Sequence, residues 1–434
     1  MSLDKNAFKR TNRLDVYRTL ATGEQVLVGV MAQNRQGTFF QYQADYLQKF
    51  GNLSPFKLKA DTSLQLAPAE PHFGLHGVFA DSLPDGWGML LMDRLFRQHQ
   101  LLPSQVTAMD RLAFVGNRGM GALSFQPVSE LSMQNPHEYF DLNTLGTEAQ
   151  LFFDGHTEDV LAALVQAGSS GGARPKAQLY FTPNDSQRCS TTTFENAEAW
   201  LVKFTSERLA LGHEEGMCEA TYLQLAKTVG IDVPGWKLLE STDGAVKRHW
   251  LALKRFDVTS NKHVEGRLHL LSTCGLLDAN FRLPSLDYED LIKVSSALCK
   301  SPAAGQQQFK RAVFNLFALN QDDHSKNSAF LQDDNGQWQL APFYDVTFSP
   351  SAYGEHATAF VGYGKTPTLK AMQKLAAQAN FANWSQAQQV IKEVVELMQQ
   401  FAVVAKANGV SANTIKLISN QLERVRIENR SIFM

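Results

Sequence analysis

Between two apolar segments, FKRAVFNLFAL (309–319) and SAFL (328–331), the chain places NQDDHSKN (320–327): two carboxylates, a histidine, a lysine and three amides. A turn that merely joined two buried elements would be built from serine and glycine. A helix cap made by Asp322, His324 or Asn327 would account for one polar side chain, not five. Any fold this chain adopts must carry the cluster out of one buried element and into the next. The cluster is therefore either a solvated turn or a site, and the remaining sequence decides between them.

At 434 residues the chain is long enough for roughly three domains of about 150 residues each. Its 44% hydrophobic and 19% charged composition is that of a folded soluble protein, and a formal net charge of −2 leaves no global basic field for nucleic acid. Cys189, Cys218, Cys274 and Cys299 stand far apart with no CxxC, which reads as small apolar residues in a reducing compartment. The charged amino terminus lacks the apolar core of a signal peptide, and no run approaches the length of a membrane span. Together these point to a cytoplasmic protein with no membrane partner.

Residues 14–50 alternate (VLVGVMAQ, then TFFQYQADYL, around an NRQG turn), the pattern of a β-hairpin or meander. Residues 78–99 read as a helix entered through 82–84. FVGNRGMGALSF (114–125) superficially has the glycines of a phosphate loop, but a strand-like ALSFQPV follows, so it reads as a glycine-rich turn between strands. The polar stretch 127–148 is the best candidate boundary, and a short helix is expected over 149–166. GSSGGARPKAQLYF (168–181) runs from small residues into a strand, and a loop then leads to the strand AWLVKF (199–204). EEGMCEATYLQLAKTVG (214–230) has helical spacing and ends on Gly230; PGWKLLE and HWLALKRFD are two further strands. From about 280 onward the pattern is mostly helical, interrupted by two strands joined at 333–336. Asp333, Asp334, Glu214 and Glu215 read as solvent-facing.

Asp322 and Asn327 stand five positions apart, and Asp345 follows the second of those strands in the apolar setting PFYDV. That is the polar layout of a kinase catalytic loop and its metal-binding aspartate. Phosphoryl transfer needs a carboxylate to orient the attacking hydroxyl or accept its proton, and carboxylate and amide oxygens to hold Mg²⁺. Lys326 adds a cation near the transferring group. The other parts precede it in the required order. Ser169, Ser170, Gly171, Gly172 and Ala173 form a small-residue loop whose backbone N–H groups suit phosphates. Lys203 stands mid-strand among apolar neighbours, where a charge is costly unless paired, and Glu219 on the next helix is a partner for it. LALKRFD (251–257) then leads to a linker where adenine would bond backbone groups. Each signal alone has a plainer explanation: a simple turn, a lysine reaching out from an edge strand, a solvated glutamate. The order of all of them together favours the kinase.

SSGGARPK, WLVKF, CEATYLQLA, LALKRFD, NQDDHSKN and FYDV together resemble the HipA family of serine/threonine kinases, the toxin half of bacterial toxin–antitoxin modules. FADSLPDGWG and MGALSFQP also look like that family's extra amino-terminal domain. The resemblance implies an α+β, protein-kinase-like fold of two lobes with a sheet-containing amino-terminal domain (1–148), a small lobe (149–258) and a large helical lobe (259–434). It implies that Asp322 is the catalytic aspartate, with His324 and Lys326 on motif positions beside it and Asn327 and Asp345 as Mg²⁺ ligands. Lys203 would hold the ATP phosphates together with the loop from Ser170 to Ala173, Lys176 and Glu219, and the backbone from Lys254 to Phe256 would contact adenine. Ser169 falls where family members carry a self-phosphorylated serine. The implied partners are a helix-turn-helix antitoxin of the HipB type, operator DNA through that antitoxin, and a protein substrate, in known cases an aminoacyl-tRNA synthetase. The HRD, DFG and APE signatures of ordinary protein kinases are missing. Two other functions compete: a metal-dependent phosphohydrolase using Asp322, Asp323, His324 and Asp345, and a non-catalytic nucleotide-binding partner of a repressor.

Overall fold

The computed structural model describes residues 9–132, 138–157, 162–168, 171–241, 248–261 and 264–434. Leu14, Val16 and Arg18 alternate with outward residues along the strand Arg13–Thr19, so one face of that strand is buried. It pairs with Gln25–Asn34 and Leu123–Gln126, and Gly37–Tyr42 and Gln65–Leu66 complete a five-stranded antiparallel sheet. The alternation expected to run on to 50 stops at Tyr42, and Ala44–Phe50 is a helix. Coiling lets Tyr46, four residues on, return to the same core and stack on Tyr42 with ring centroids 6.2 Å apart.

Helices Gly86–Gln98 and Ala108–Val115 share this core, the second opened by a capping box in which Thr107 and Asp110 bond each other's backbone. The segment 82–84 separates the first of them from the short helix Gly77–Ala80, so the helix expected over 78–99 is two. Gly116 (φ 57) ends Ala108–Val115, so the glycine-rich turn joins a helix to the strand Leu123–Gln126 and not two strands.

A second antiparallel sheet of six strands runs in the order Trp236–Ser241, Arg248–Lys254, Glu198–Lys203, Lys176–Thr182, Asp185–Ser190, Tyr139–Asp141. Asp185–Ser190 falls in what the sequence presents as a loop, because this strand is polar and carries no apolar run. The helix expected over 149–166 begins earlier, at Leu142, where Asp141 caps the Thr144 amide, and ends at Phe153; Ala162–Gln166 is a separate helix. Gly146 lets this helix lie against the sheet, since a Cβ there would come within 2.2 Å of the Trp250 ring.

Helix Glu215–Thr228 packs on the other side of the small lobe and joins a second core with Tyr288–Leu298, Pro302–Ala318, Leu369–Gln378, Trp384–Met398, Phe401–Ala407 and Ala412–Glu428. A three-stranded sheet, His269–Ser272, Ala329–Gln332 and Trp338–Leu340, packs Leu271, Phe330, Trp338 and Leu340 against the amino-terminal core. Among the described residues no helix is long and apolar enough to cross a membrane, and the four cysteines are unpaired, three of them buried.

Among the contacts that tie the amino-terminal sheet to the rest of the chain is one buried cation. Arg18, wholly shielded from solvent, donates to the Gln332 and Asp333 carbonyls (3.2 and 2.8 Å), the Gln332 side chain (3.0 Å) and the Tyr46 hydroxyl (3.1 Å). Asp334 accepts from Arg18 at 3.4 Å and from the Ala21 amide at 2.8 Å, so it is half of a domain contact and not the solvent-facing residue its turn suggested. Arg18→Ala leaves those buried carbonyls without donors and is expected to lower stability by about 2–4 kcal/mol. Urea unfolding of the two proteins measures it; an unchanged midpoint and slope would show that Arg18 does not hold the domains together.

Candidate active site

Lys203 ends the strand Glu198–Lys203 with its ammonium buried, and three oxygens surround it. It donates to both Glu219 carboxylate oxygens, at 2.6 and 2.8 Å, and to Asp345. Burial alone would lower the Lys203 pKa, but the Asp345 and Glu219 carboxylates outweigh it and the value rises. Burial would raise Asp345, yet Lys203 and Lys176 hold its carboxyl well below the ordinary range. Glu219 is the reverse case: burial keeps it above its usual value despite Lys203. Asp345 sits at φ 51, a left-handed conformation that is costly for a residue other than glycine and turns its carboxylate back toward the strand.

The catalytic-loop candidates emerge from helix Pro302–Ala318, which ends on Leu319 at φ 52 with the Asn320 amide bonded to the Asn315 carbonyl at 3.0 Å. This is a Schellman stop made without glycine, with the Leu319 side chain kept in the core. Asp322 then faces solvent, its side chain 66% exposed, with His324 Nε2 3.7 Å from its carboxylate. Burial of the loop and the nearby Asp345 charge raise its pKa, opposed by His324. Asn327 donates through Nδ2 to the Asp322 carbonyl at 2.7 Å, which leaves its amide oxygen as a free ligand. Asp323 points the other way. It accepts from Tyr288 at 2.6 Å and from the Thr358 amide at 3.2 Å and meets His356 Nδ1 at 2.9 Å, inside the fold. The four groups a phosphohydrolase would need therefore do not converge.

Above the loop, Gly172 and Gly171 lie against the amino-terminal domain. The Gly172 amide donates to Asp85, the Trp87 amide donates to the Gly172 carbonyl at 3.0 Å, and a side chain on Gly86 (φ 40) would strike Ala173. Lys176, directly opposite Lys203 in the sheet, donates to the Gly171 carbonyl at 2.6 Å; burial lowers its pKa. Lys326 is 2.9 Å from Asp85. Ser169 and Ser170 lie outside the described residues.

A cleft runs beside these parts, with Gly171, Gly172, His324, Lys326, Asn327 and Asp345 on its wall. Its deep end is apolar, walled by Met120, Leu123, Leu201, Leu253, Phe256 and Leu270, and its mouth carries His324, Lys326, Asn327 and Asp345. Lys254 ends the strand Arg248–Lys254 and pairs with Glu198 at 2.6 Å, and Phe256 just beyond it stacks on Tyr344. The cleft thus pairs an apolar pocket with a charged rim. Among the described residues no cage of three or more histidine, cysteine or acidic side chains is placed for a metal. Asn327 and Asp345 offer two oxygens, the sparse protein share usual for Mg²⁺, whose other ligands are phosphate and water.

Asp85 is the residue the sequence argument missed: an acid after Pro84 at a helix start, whose role depends on contacts far along the chain. Arg174 was missed too. It pairs at 3.0 Å with Glu215, which is buried and not solvent-facing, and its charge favours ionised Asp345.

The family model for the HipA-like C-terminal domain matches residues 168–402, and that for the HipA N-terminal domain matches residues 21–126. No curated protein matches the chain. A chain of the Shewanella oneidensis MR-1 toxin–antitoxin complex of HipA, HipB and operator DNA is similar in fold, with 16% identity and a TM-score of 0.68 over 96% of this chain and 99% of that one. The Helicobacter pylori proinflammatory kinase CtkA aligns over 61% of this chain and 91% of its own at 12% identity, with a TM-score of 0.39 that carries no argument.

Lys203→Met is expected to reverse a pH dependence. In the native protein the depressed Asp345 contributes stability that is present above its unfolded pKa of about 4 and lost as pH falls through its folded value. Without the ammonium, Asp345 and Glu219 are two adjacent carboxyls with raised pKa values, and stability then falls as pH rises from about 4 to 7. Urea unfolding at several pH values gives the slope. Parallel profiles for the two proteins would show that Lys203 does not control these carboxyls.

Proposed function

The chain belongs to the HipA family, and from that premise we propose that it is a Mg-ATP-dependent serine/threonine protein kinase, the toxin of a toxin–antitoxin module. The observation that carries the reading is the buried Lys203 gripped by Glu219 and by Asp345, a wall residue of the cleft, with the exposed Asp322 3.7 Å from His324 on the same wall. An ammonium fixed in this way is aimed by the fold and waits for further anions.

In this reading adenine occupies the apolar end of the cleft against the backbone from Lys254 to Phe256. Lys203, Lys176 and the amides of Gly171, Gly172 and Ala173 hold the phosphates, with Ser170 in the same loop. The acceptor hydroxyl oxygen attacks the γ-phosphorus, the bond to the β–γ bridging oxygen breaks and ADP leaves. The hydroxyl proton passes to Asp322, whose raised pKa makes it a better acceptor than an ordinary carboxylate. His324 bears on the Asp322 carboxylate and Lys326 offsets charge on the transferred group. Asn327 and Asp345 would hold Mg²⁺, which supplies charge neutralisation when bound. The phosphohydrolase alternative loses one of its four groups, because Asp323 is committed to Tyr288, His356 and Thr358. A silent nucleotide-binding partner is disfavoured by the intact set Lys203, Asp322, Asn327 and Asp345.

The antitoxin, the operator DNA reached through it and an aminoacyl-tRNA synthetase as protein substrate are proposals that rest on family membership, as is a cytoplasmic location. Self-phosphorylation of Ser169 is proposed on the same footing. A phosphoserine there would bring about −1.5 to −2 charge to the amides and lysines that hold ATP and so close the site.

Asp322→Ala is expected to lower phosphoryl transfer by about 100-fold or more while sparing Mg-dependent ATP binding, whereas Asp345→Ala loses both. Calorimetric ATP titration and transfer from labelled ATP separate the two effects. Wild-type transfer by Asp322→Ala would refute the catalytic assignment. In mass spectra after incubation with Mg-ATP, phosphate is expected on Ser169 of the wild type and on none of the Asp322→Ala protein. An unmodified wild-type Ser169 ends that part of the proposal.

A further inference from the structure

Beside the nucleotide cleft a second groove runs between the amino-terminal domain and the catalytic body. The two share Asp81, Leu83, Asp85 and Lys326 as a common wall. The groove's sides are apolar, formed by Pro71, Phe73, Met89, Pro103, Val106 and Phe281. Phe73 is 62% exposed and held at φ 56, a conformation a phenylalanine adopts only when its surroundings impose it. The turn around it is closed by the Leu75 amide on the His72 carbonyl and the Gly74 amide on the Ala69 carbonyl, each at 3.0 Å. An exposed aromatic ring is thus fixed facing the groove.

The groove leads to the chemistry. The Phe281 ring lies 5.6 Å from the His324 ring and 4.6 Å from the Lys326 ammonium, and His324 is the residue beside Asp322. The groove's carboxylates are engaged, Asp81 accepting from the Ser272 amide at 2.6 Å and hydroxyl at 2.8 Å. Arg111 is paired with Asp93 at 2.7 Å and Lys326 with Asp85 at 2.9 Å. Arg282 is exposed, with its guanidinium 5.9 Å from the Phe73 ring and 4.4 Å from the Phe281 ring, and no carboxylate among the described residues pairs with it. The uncompensated charge at the rim is therefore positive.

We propose that this groove receives the acceptor segment of the protein substrate, with a large apolar side chain seated against Phe73 and Phe281 and an acidic side chain meeting Arg282, both close in sequence to the phosphorylated serine or threonine. The inference rests on the kinase reading and adds the specificity of the acceptor. Continuity with the catalytic loop says why a substrate belongs here. The free cation on apolar walls says which sequence it selects. The transfer step is the one given above, with the phosphoryl group going to the acceptor oxygen and its proton to Asp322.

The test is a positional-scanning library of serine peptides phosphorylated with Mg-ATP by the wild-type chain, Arg282→Glu and Phe73→Ala, with ATP affinity measured on the same preparations. Both substitutions are at exposed side chains. The wild type is expected to favour an acidic residue at one position by about fivefold, the worth of an exposed ion pair, and a large apolar residue at another. Arg282→Glu should turn the acidic preference into one for lysine or arginine, Phe73→Ala should flatten the apolar one, and ATP affinity should stay unchanged in both. Peptide selection identical in all three proteins overturns the groove while leaving the kinase standing. Loss of self-association by Phe73→Ala in sedimentation, with selection unchanged, assigns the groove to a second copy of the chain and also overturns it. A wild type that binds ATP yet phosphorylates neither peptide nor protein brings down the kinase reading and this inference together.

Discussion

An ammonium placed in a protein interior costs several kcal/mol unless anions meet it there, and this chain meets Lys203 with two. The requirement reaches across the molecule, because the three groups come from a strand of the second sheet, the helix Glu215–Thr228 and the loop after the hairpin of the catalytic body. Parting the two sides would break Lys203 from Asp345, while Glu219 stays with Lys203. The ion pair to Asp345 therefore holds the two sides of the cleft together alongside packing. The left-handed backbone at Asp345 is tolerable in this light, since the ion pair it completes compensates the local strain.

Lys203, Glu219, Asp322, Asn327 and Asp345 were legible in the sequence through their order along the chain, since each alone reads as a plainer feature. What stayed hidden had no place in that order. Glu215 looks like any acid at the start of a helix until Arg174 arrives from a distant loop, and Asp334 looks like a turn residue until Arg18 reaches it from a strand more than three hundred residues earlier in the chain. The strand Asp185–Ser190 is polar along its length, and the stop at Leu319 uses a leucine where glycine would have announced it. Local propensity is silent wherever the deciding contact is far along the chain.

The amino-terminal domain is the part whose contribution to the site local sequence could least reveal. Its sheet is fastened at one place by Arg18, and at another its helix start supplies Asp85 to the glycine loop and to Lys326. Met120 and Leu123 from the same domain close the apolar end of the cleft, and Gly121 is bonded at 2.6 Å to Asp257, itself in a buried pair with Arg255 on the linker. The domain is thus the roof of the site, built from the turn that the sequence placed between two strands.

This arrangement bears on how the cleft would accept a nucleotide. Four lysines in or beside it are satisfied by protein oxygens: Lys176 by the Gly171 carbonyl, Lys203 by Glu219 and Asp345, Lys254 by Glu198, Lys326 by Asp85. None of these four ammoniums is left without an oxygen partner. On the kinase reading, phosphates entering the cleft bring negative charge toward Asp85, which already occupies both the Gly172 amide and the Lys326 ammonium. Like charges at that distance repel, so anion and carboxylate compete for the same donors and one yields. The Lys203 cluster meets the same conflict, since one ammonium between two carboxylates carries a net negative charge, and a cation held by Asn327 and Asp345 would offset it. On that reading phosphate entry bears on the contact with the amino-terminal domain and on the contact at Asp345 alike.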